Sequence, residues 1–589
     1  MNERVDASTR RRAIRAARGL EPFDVLVAGG TVVDVGIGET RLADVGIVGP
    51  LIASVHEPGE RSDATLVHSA AGRYVAPGLI DMHVHFESSM LTPGRYAEAV
   101  CPRGTTTIFC DPHELANVCG VEGVRYTVEA SRGLPVRFLI QAPSCVPPMP
   151  GLELSGFEFG GQEIAEMLSW PEVSGLAEVM DMAGVIGSAE RMVDVVEAGL
   201  ASGKLMEGHA SGLTEHDLQA YLAAGISSDH EIFAHTDALE RLRSGMTVEL
   251  RWAFPQVLPP LVEAVNAMPE FPTHLVAATD DLFAMTLVEV GGIDHLLRLL
   301  IGHGLDPMRA FRMATYNAAY RLQRTDLGLV ASGRRADLIV LSSLREVAVE
   351  DVFADGRHVA SGGRMIEPVV EGPSTVPFDT MRMGPVDVDD FQIRLPDRPD
   401  GTATLRVISD PILSTWGSVT AEVHGGVVSV PPGHIVQVSF HRHGRIPARP
   451  VAGLLSGWGN WTGAVATTVS HDTHNLVVFG VDPLAMATAA NAVIAAGGGV
   501  AVARGAEVLE IVELPIAGLL SPLPADQVAE AQRRVQEAAI SVGLFSTLLA
   551  QPLFQVMANS LACLPGPHVT DIGLVDGSSG EIVDSMILA

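Results

Sequence analysis

The chain is poor in cysteine and in positive charge. Its 589 residues include five cysteines, an odd number, and no two are spaced as C-x-x-C. This argues against a disulfide framework and a structural zinc finger, and it predicts that the protein resides in the reducing cytoplasm. Lysine and arginine total 39 against 70 aspartates and glutamates, for a formal net charge of −31. We therefore expect neither nucleic acid nor an anionic membrane as a partner.

The chain also lacks the pattern of a signal peptide and of a membrane span. Arginines crowd the first 18 residues. No apolar segment follows them, so we expect a frayed basic arm over residues 1–21. Residues 483–503 carry no charge. The leading Pro483, the internal Asn491 and three glycines at 497–499 predict a buried helix, a turn and a strand there, not a span.

The composition, 47% hydrophobic with 60 glycines and 37 prolines, predicts a turn-rich α/β enzyme of two to four domains. The sequence predicts short strands separated by turns over residues 22–76, and the same pattern recurs over residues 329–375. We expect these two flanks to form one small composite β-sandwich around an inserted domain. Residues 376–589 have the pattern of a C-terminal α+β domain.

The insert, residues 77–328, alternates apolar strand candidates with segments of helix length. The candidates are 78–82, 105–110, 136–142, 175–179, 205–208, 225–228, 246–250 and 274–279. Eight strand–helix units over roughly 250 residues predict a (β/α)8 TIM barrel. In such barrels, catalytic groups lie at the carboxyl ends of the strands.

Residues of the types that bind metals stand at these strand ends. His83 and His85 close the first strand, and residues i and i+2 of a strand point to the same face. A carboxylate, two more imidazoles and an aspartate on other strand ends would complete a two-metal centre that makes hydroxide at neutral pH. The predicted ligands are His83, His85, Glu178, His209, His230 and Asp280.

Two acids in this series are candidates for moving protons. Asp280 is the first residue after the eighth strand, where it can orient a hydroxide and take its proton. Glu231 follows His230, and a departing nitrogen needs a proton, so Glu231 is the predicted carrier. A salt-bridged Glu231 stays open as the alternative. Asp281 is either a substrate contact or a helix cap.

Each of two further polar segments has either a role in the site or a local structural role. Asp111-Pro112-His113-Glu114 follows the second strand, and it either lines the site or starts a helix with proline near its first position. Ser470-His471-Asp472-Thr473-His474-Asn475 lies between apolar runs of the third region. It either reaches over the mouth of the barrel or forms a local turn network.

Taken together, these residues resemble the amidohydrolase superfamily and, more narrowly, its bacterial adenine deaminase family. The superfamily resemblance is carried by the segment 77–85, by the ordered ligand series, and by the closing segment 333–341. The narrower resemblance is carried by His85-Phe86-Glu87-Ser88-Ser89, by 111–118, by Ala177-Glu178-Val179-Met180, by Ser228-Asp229-His230-Glu231, by 470–475 and by 514–519. It covers nearly the whole chain from about residue 22.

The resemblance implies hydrolysis of adenine to hypoxanthine and ammonia by two divalent metal ions, iron or manganese, with zinc as the alternative. Many superfamily members bridge their metals with a carbamylated lysine on the fourth strand. Glu178 takes that place here, which argues against a dihydroorotase or a hydantoinase. The catalytic acids would be Asp280 and Glu231. The predicted substrate contacts are Glu87, Ser88, His113, Asp281, His471 and His474.

Two other functions stay open. The same centre would serve an enzyme that hydrolyses another aminated heterocycle or a cyclic amide. A non-catalytic scaffold that binds metal or purine is the alternative from a different class. Ammonia release separates catalysis from binding, and a panel of aminopurines and cyclic amides separates the two enzymes. The expected partners are a small purine and a second copy of the chain, as a homodimer.

Overall fold

The computed structural model describes residues 5–412, 414–546, 551–583 and 585–588. The strands are β1 (Phe23–Asp34), β2 (Glu39–Val48), β3 (Leu51–His56), β4 (Ala64–Ser69), β5 (Tyr74–Pro77), β6 (Leu79–Val84), β7 (Thr105–Cys110), β8 (Arg137–Ala142), β9 (Val173–Leu176), β10 (Leu205–Met206), β11 (Ser228–Asp229), β12 (Thr247–Leu250), β13 (Leu275–Ala277), β14 (Leu338–Ser343), β15 (Ala348–Ala354), β16 (Arg357–Ser361), β17 (Arg364–Met365), β18 (Gly401–Ser409), β19 (Thr415–His424), β20 (Val427–Val428), β21 (His434–Phe440), β22 (Val451–Ser456), β23 (Ala464–Thr467), β24 (Leu476–Gly480), β25 (Gly499–Arg504), β26 (Glu507–Glu513), β27 (Pro567–Val569), β28 (Leu574–Asp576) and β29 (Glu581–Val583).

The α-helices are α1 (Ala7–Ala17), α2 (Pro93–Val100), α3 (His113–Cys119), α4 (Val121–Ala130), α5 (Gly161–Leu168), α6 (Met182–Ile186), α7 (Glu190–Ser202), α8 (Glu215–Ala223), α9 (His235–Arg243), α10 (Leu258–Asn266), α11 (Ala284–Glu289), α12 (Ile293–Gly302), α13 (Pro307–Arg312), α14 (Ala318–Arg321), α15 (Pro483–Ala495), α16 (Ala525–Ser541) and α17 (Pro552–Ala558). A π-helical turn, Met313–Asn317, connects α13 to α14.

Both flanks of the barrel enter one composite sheet, as the sequence predicts. Its strand order is β17-β16-β15-β14-β5-β1-β2-β3, with β4 beside β1. Strand β5 joins the flanks, because it pairs with β1 on one side and with β14 on the other. All nine strands therefore belong to one hydrogen-bonded sheet.

The frayed arm predicted over residues 1–21 is wrong, because α1 occupies much of it. Asp6 caps this helix by accepting a hydrogen bond from the backbone of Thr9 at 2.8 Å. Ala13 and Ala16 are buried in a small apolar cluster with Phe23. Two of its arginines ion-pair with acids of the following segment, Arg12 with Asp24 and Arg15 with Glu21.

All eight barrel strands form at the predicted places. Strands β6 to β10 make one parallel sheet and β11 to β13 a second. The Ser227 amide donates to the Met206 carbonyl at 3.3 Å between the two sheets. The ring closes where Val84 bridges Asp280, whose amide donates to the His83 carbonyl at 2.9 Å. Large apolar side chains such as Met82, Phe109 and Val276 fill the interior.

The C-terminal domain is built on a nine-stranded sheet in the order β20-β19-β18-β22-β21-β24-β23-β25-β26. The uncharged segment 483–503 forms α15, a turn and most of β25, so the helix–turn–strand prediction is confirmed. Helix α15 buries a face of small apolar residues against this sheet. Among the described helices, none combines the length and the apolar character that crossing a bilayer requires.

This domain lies against the mouth of the barrel. Gln532 donates to the Ser89 carbonyl at 3.0 Å and accepts from the Met285 amide at 3.0 Å. Asn475 donates to the Leu154 carbonyl at 2.8 Å. These bonds are largely buried, so the loop that precedes β24 is held over the carboxyl ends of the barrel strands.

Candidate active site

The six predicted metal ligands converge on the Glu178 carboxylate. Its Oε1 lies 3.0 Å from His85 Nε2 and 3.6 Å from His83 Nε2. Its Oε2 lies 2.7 Å from His209 Nδ1 and 3.5 Å from His230 Nε2. Each carboxylate oxygen thus faces its own pair of imidazoles. Together with Asp280, these residues are called the Glu178 cluster.

The first two histidines turn their Nε2 atoms to one point. His85 Nδ1 lies 3.0 Å from the Asp111 carbonyl oxygen, an acceptor, so Nδ1 carries a hydrogen and Nε2 is the ring nitrogen left to face the Glu178 carboxylate. The two Nε2 atoms of His83 and His85 are 2.9 Å apart. Asp280 Oδ1 lies 3.5 and 3.3 Å from these same atoms.

Most of the ligands lie just beyond the end of a strand, as the sequence predicts. Strand β9 ends two residues before Glu178, and β11 ends directly before His230. The alternation of strand side chains has therefore stopped at His230 and Glu231, and both can point inward. Asp280 has a φ of 61°, a left-handed conformation uncommon outside glycine, which is typical of functional sites.

The buried carboxylate stays ionised. Burial would raise the pKa of Glu178, but the hydrogen bond with His209, the charge of His230 and the hydrogen bonds with His83 and His85 hold that pKa well below its usual range. The cluster therefore offers a negative bridging group among nitrogen donors.

Arg251 is a site residue that the sequence reasoning missed. It follows β12, the seventh barrel strand, and ion-pairs with both Asp280 and Glu231. Its side chain is 12% exposed. A charged residue at a strand end was the available signal, but only ligand-type residues were sought there.

The sequence reasoning also missed Glu249, an acid that lies inside the barrel close to His230. Its Oε2 is 3.9 Å from His230 Nδ1. Burial and the charge of Glu207 raise the pKa of Glu249 well above its usual range. Glu207 itself is paired with Arg321 at 2.7 Å.

The loops after β10 and β11 are tied together by a buried ion pair. Arg241 Nε donates to Asp229 Oδ2 at 2.8 Å, and a second guanidinium nitrogen donates to the Ala210 carbonyl. Asp229 Oδ1 accepts from the amides of Ala210 and Glu231, each at 2.9 Å. This network fixes the backbone on either side of His209 and His230.

The segment after β7 is both a helix start and part of the site. Helix α3 begins at His113. His113 Nδ1 lies 2.9 Å from Asp111 Oδ2 and 3.6 Å from Glu178 Oε1. Ser88 Oγ lies 2.6 Å from Glu114 Oε1 and 2.5 Å from Asp281 Oδ1. The neighbouring Glu87 is fully buried, and its carboxylate accepts from the Leu115 amide at 3.3 Å.

The loop 470–475 of the C-terminal domain reaches this wall. His471 Nδ1 lies 3.2 Å from Glu114 Oε1, and Asp472 Oδ1 lies 3.7 Å from His113 Nε2. Although burial would raise it, the charges of His471, His474 and His113 lower the pKa of Glu114 to about 2. Inside the loop, His474 Nδ1 also accepts from the Ser470 amide, so both readings of this segment hold.

No lysine can serve as a carbamylated bridge, because the chain has a single lysine, Lys204. Its ammonium donates to the carbonyls of Leu168, Trp170 and Val173 at 2.6 to 3.0 Å. The bridging position therefore depends on Glu178.

Comparisons with known proteins point in one direction. The model of the "Amidohydrolase family" matches residues 74–359, and that of the "Adenine deaminase C-terminal domain" matches residues 412–581. A protein named adenine deaminase from Klebsiella pneumoniae (strain 342) is 51% identical over 99% of this chain and 96% of its own length. Its namesake from Serratia proteamaculans is 49% identical over 99% and 98%.

A less similar relative is also named adenine deaminase, and the similar solved structures include other amidohydrolases. An adenine deaminase from Moorella thermoacetica is 36% identical over 98% of this chain and 98% of its own length. Among solved structures, a D-aminoacylase is 17% identical, with a TM-score of 0.43 over 60% of this chain and 100% of that one.

Proposed function

This chain belongs to the adenine deaminase family of amidohydrolases, and on that premise we propose that it hydrolyses adenine to hypoxanthine and ammonia at the Glu178 cluster. One observation carries the assignment of the site: each oxygen of the buried Glu178 carboxylate faces two of the four predicted imidazole ligands. That is the arrangement a bridging ligand of two cations needs.

The donor set fits divalent cations. It combines neutral imidazole nitrogens with carboxylate oxygens, the ligands of iron, manganese and zinc. The inward-facing atoms lie in groups within 4.8 Å of one another. His83, His85, Glu178, His209, His230 and Asp280 would hold two such ions. When bound, the ions would lower the pKa of water and supply hydroxide at neutral pH.

Asp280 and Glu231 would move the protons of the reaction. Water adds its oxygen to C6 of adenine, the C6–N bond breaks, and the nitrogen leaves as ammonia with a proton from water. Asp280 faces both the histidine pair and Arg251, so it can take one proton of the water as the oxygen adds, and this proton ends on the ring of the hypoxanthine product. Glu231 can take the other proton from the added oxygen and deliver it to the leaving nitrogen.

The remaining predicted residues would surround the purine. Glu87, Ser88, His113 and Asp281 form the wall beside Glu178, with hydrogen-bonding groups suited to the ring nitrogens of adenine. His471 and His474 enter the same wall from the C-terminal domain and stay predictions as direct adenine contacts.

Metal identity, assembly and location stay predictions as well. Iron or manganese is expected, with zinc as the alternative. A homodimer in the cytoplasm is expected too, and the five cysteines are free thiols, as a reducing compartment favours. Light scattering of the purified protein tests the dimer.

One assay tests the proposed reaction. Metal-free protein is reconstituted separately with Fe2+, Mn2+ and Zn2+, and ammonia release is measured from adenine, other aminated heterocycles and cyclic amides. Adenine should be the best substrate with iron or manganese. Ammonia release from another substrate class alone, or none with any metal, would overturn the proposal.

A further inference from the structure

One of the two ring nitrogens of His230 lacks a hydrogen-bond partner. Nε2 faces the Glu178 cluster and lies 3.5 Å from Glu178 Oε2. Nδ1 is buried as well, and within the described parts of the chain it has no hydrogen-bond partner. A histidine that binds a metal ion through one ring nitrogen almost always donates the hydrogen on the other nitrogen to an acceptor. His230 Nδ1 therefore needs an acceptor if Nε2 is to be the ligand atom.

Glu249 offers an acceptor beside this nitrogen. Its Oε2 lies 3.9 Å from His230 Nδ1, and its side chain is fully buried inside the barrel. No described N–H or hydroxyl group donates to either oxygen of Glu249. A carboxyl group can accept a hydrogen bond whether it is charged or neutral. Because an N–H···O bond is typically about 3.0 Å long, a shift of about 1 Å completes the contact.

Strand β12 directs Glu249 into the barrel. Val248 and Leu250 pack into the apolar cluster that includes helix α10, so the side chain between them points inward. Most of that interior is filled by apolar side chains such as Phe109 and Val276. A carboxyl group is costly to bury there unless it makes hydrogen bonds. The position of Glu249 therefore indicates a polar role inside the barrel.

Polar groups deeper in the barrel hold Glu249 in place. Its carboxyl group hydrogen-bonds with that of Glu207. Glu207 Oε1 accepts from Arg321 at 2.7 Å, and Oε2 accepts from the Ser228 hydroxyl at 2.5 Å. Arg321 lies on α14, outside the strands. A chain of contacts thus runs from α14 through two acids to His230, and it anchors Glu249 independently of the Glu178 cluster.

The orientation of the His230 ring depends on its Nδ1 neighbour. The ring stacks on His83, with centroids 4.0 Å apart and an interplanar angle of 15°, so the plane of the ring is fixed. A half-turn about the Cβ–Cγ bond would keep that plane, but it would put Cε1 in the place of Nε2. The hydrogen bond made by one ring nitrogen decides which nitrogen faces a metal. An acceptor at Nδ1 therefore stabilises the orientation in which Nε2 faces Glu178.

We propose that Glu249 is a positioning residue for His230: its carboxyl group accepts the Nδ1 hydrogen and keeps Nε2 directed at the cation site. This inference rests on the proposed function, because it needs His230 as a metal ligand. Partners of this kind typically contribute roughly 10–100-fold to metal affinity. Removal of the acceptor should weaken the binding of the ion that His230 holds and leave the fold intact.

Two substitutions at the same position isolate the acceptor. Glu249→Gln and Glu249→Met both remove the acid, but only glutamine keeps an oxygen that can accept from Nδ1. Zn2+ is titrated calorimetrically into metal-free wild type and both variants, and the Tm of each metal-free protein is recorded. In Glu249→Met, the affinity for one of two ions should fall roughly 10–100-fold, while Glu249→Gln should stay close to the wild type. The metal-free Tm should be similar in the two variants.

The outcomes separate positioning from a structural role. In a His230→Ala background, Glu249→Met should cause no further loss of affinity, because the two side chains act as a unit. Equal affinities in wild type and Glu249→Met, or an equal loss in both variants, would overturn the inference. So would a metal-free Tm that falls in Glu249→Met alone. A wild type that binds no ion refutes the proposed function itself, whereas two ions bound equally well by Glu249→Met refute only the role of Glu249.

A crystal structure of the zinc-loaded wild type decides the matter even if a variant fails to fold. His230 Nδ1 and an oxygen of Glu249 should lie about 2.7 to 3.2 Å apart, the range of an N–H···O hydrogen bond. A separation above about 3.5 Å, or a half-turned ring with Nδ1 away from Glu249, overturns the positioning role.

Discussion

Arg251 holds the two acids that the proposed reaction uses. It ion-pairs with Asp280 and with Glu231, and it fixes both on the same side of the Glu178 cluster. The salt-bridged Glu231 that stood as an alternative to a proton carrier is therefore present. A salt bridge and a catalytic role are compatible, because a guanidinium orients the carboxylate that it binds.

Glu231→Gln separates the two roles. An amide still fills the space and can still hydrogen-bond, but it cannot carry a proton. We expect retained metal and purine binding, with turnover lowered by roughly 10²–10⁴, the usual contribution of general acid–base catalysis. Metal content and turnover should be measured on the same preparation. Near-native turnover would leave the proton to Asp280 alone, and lost metal would make Glu231 a structural residue.

His83→Ala and His85→Ala test the first strand end. Each removes one of two Nε2 atoms that stand 2.9 Å apart beside the Glu178 carboxylate. Both variants should lose metal and ammonia release together, as elemental analysis and a turnover assay would show. Full metal occupancy in both would remove these histidines from the site.

Much of the site was predictable at the level of residues, because ligands in a barrel recur at strand ends and are of few chemical types. The six ligands and Glu231 were placed on that basis, and the structure brings them together. Arg251 and Glu249 were missed, because arginine is not a metal ligand and Glu249 lies within its strand instead of after the strand end. Their importance follows from neighbours on other strands, and such contacts cannot be read from local spacing.

The hydrophobic pattern of the sequence predicts the strands and most helices, but it does not predict α1. Its arginine-rich sequence has the composition of a disordered arm, and its stability comes from Asp6 as a cap and from alanines packed beside β2 and β3. The position of the loop 470–475 could not be predicted from the sequence either. Its two readings differ only in contacts with Glu114 and His113, which belong to another domain.

The turn before β14 contains an ion pair that joins the barrel to the composite sheet. Arg324 donates to both oxygens of Asp326 at 2.7 Å, and Arg335 contacts the same carboxylate at 3.2 Å. Partial burial would raise the pKa of Asp326, but these two guanidinium groups lower it to about 2. The carboxylate is therefore more easily ionised in the folded protein than in the unfolded one.

Asp326→Asn should lower stability by about 1 kcal/mol at pH 7, a value limited by the partial exposure of the pair. Because the folded pKa is depressed, the contribution is complete above the unfolded value of about 3.9 and is lost as the pH falls toward 2. Thermal unfolding of wild type and variant from pH 8 downward measures the difference. It should be constant down to about pH 5 and then shrink. A difference that grows in acid would contradict the pairing.

At the scale of the whole molecule, bound cations should stabilise the fold. The Glu178 cluster buries five further ligands, which come from the ends of four strands, around one carboxylate, and only the folded chain brings them together. Chelation should therefore lower Tm by several degrees, since an ion present at 1,000 times its Kd contributes about 4 kcal/mol. Calorimetry before and after chelation measures the shift. An unchanged Tm would mean that the cluster does not bind cations tightly.

The most direct test of the central claim is one measurement on Glu178→Gln and the wild type: bound metal and ammonia release from adenine, in the same preparations. An amide lacks the charge and the second equivalent oxygen that bridging requires. The variant should fold, bind up to two fewer metal ions per chain than the wild type, and release almost no ammonia. If it keeps the wild-type metal content and near-native turnover, Glu178 is an ordinary buried acid and the two-metal centre does not exist as described.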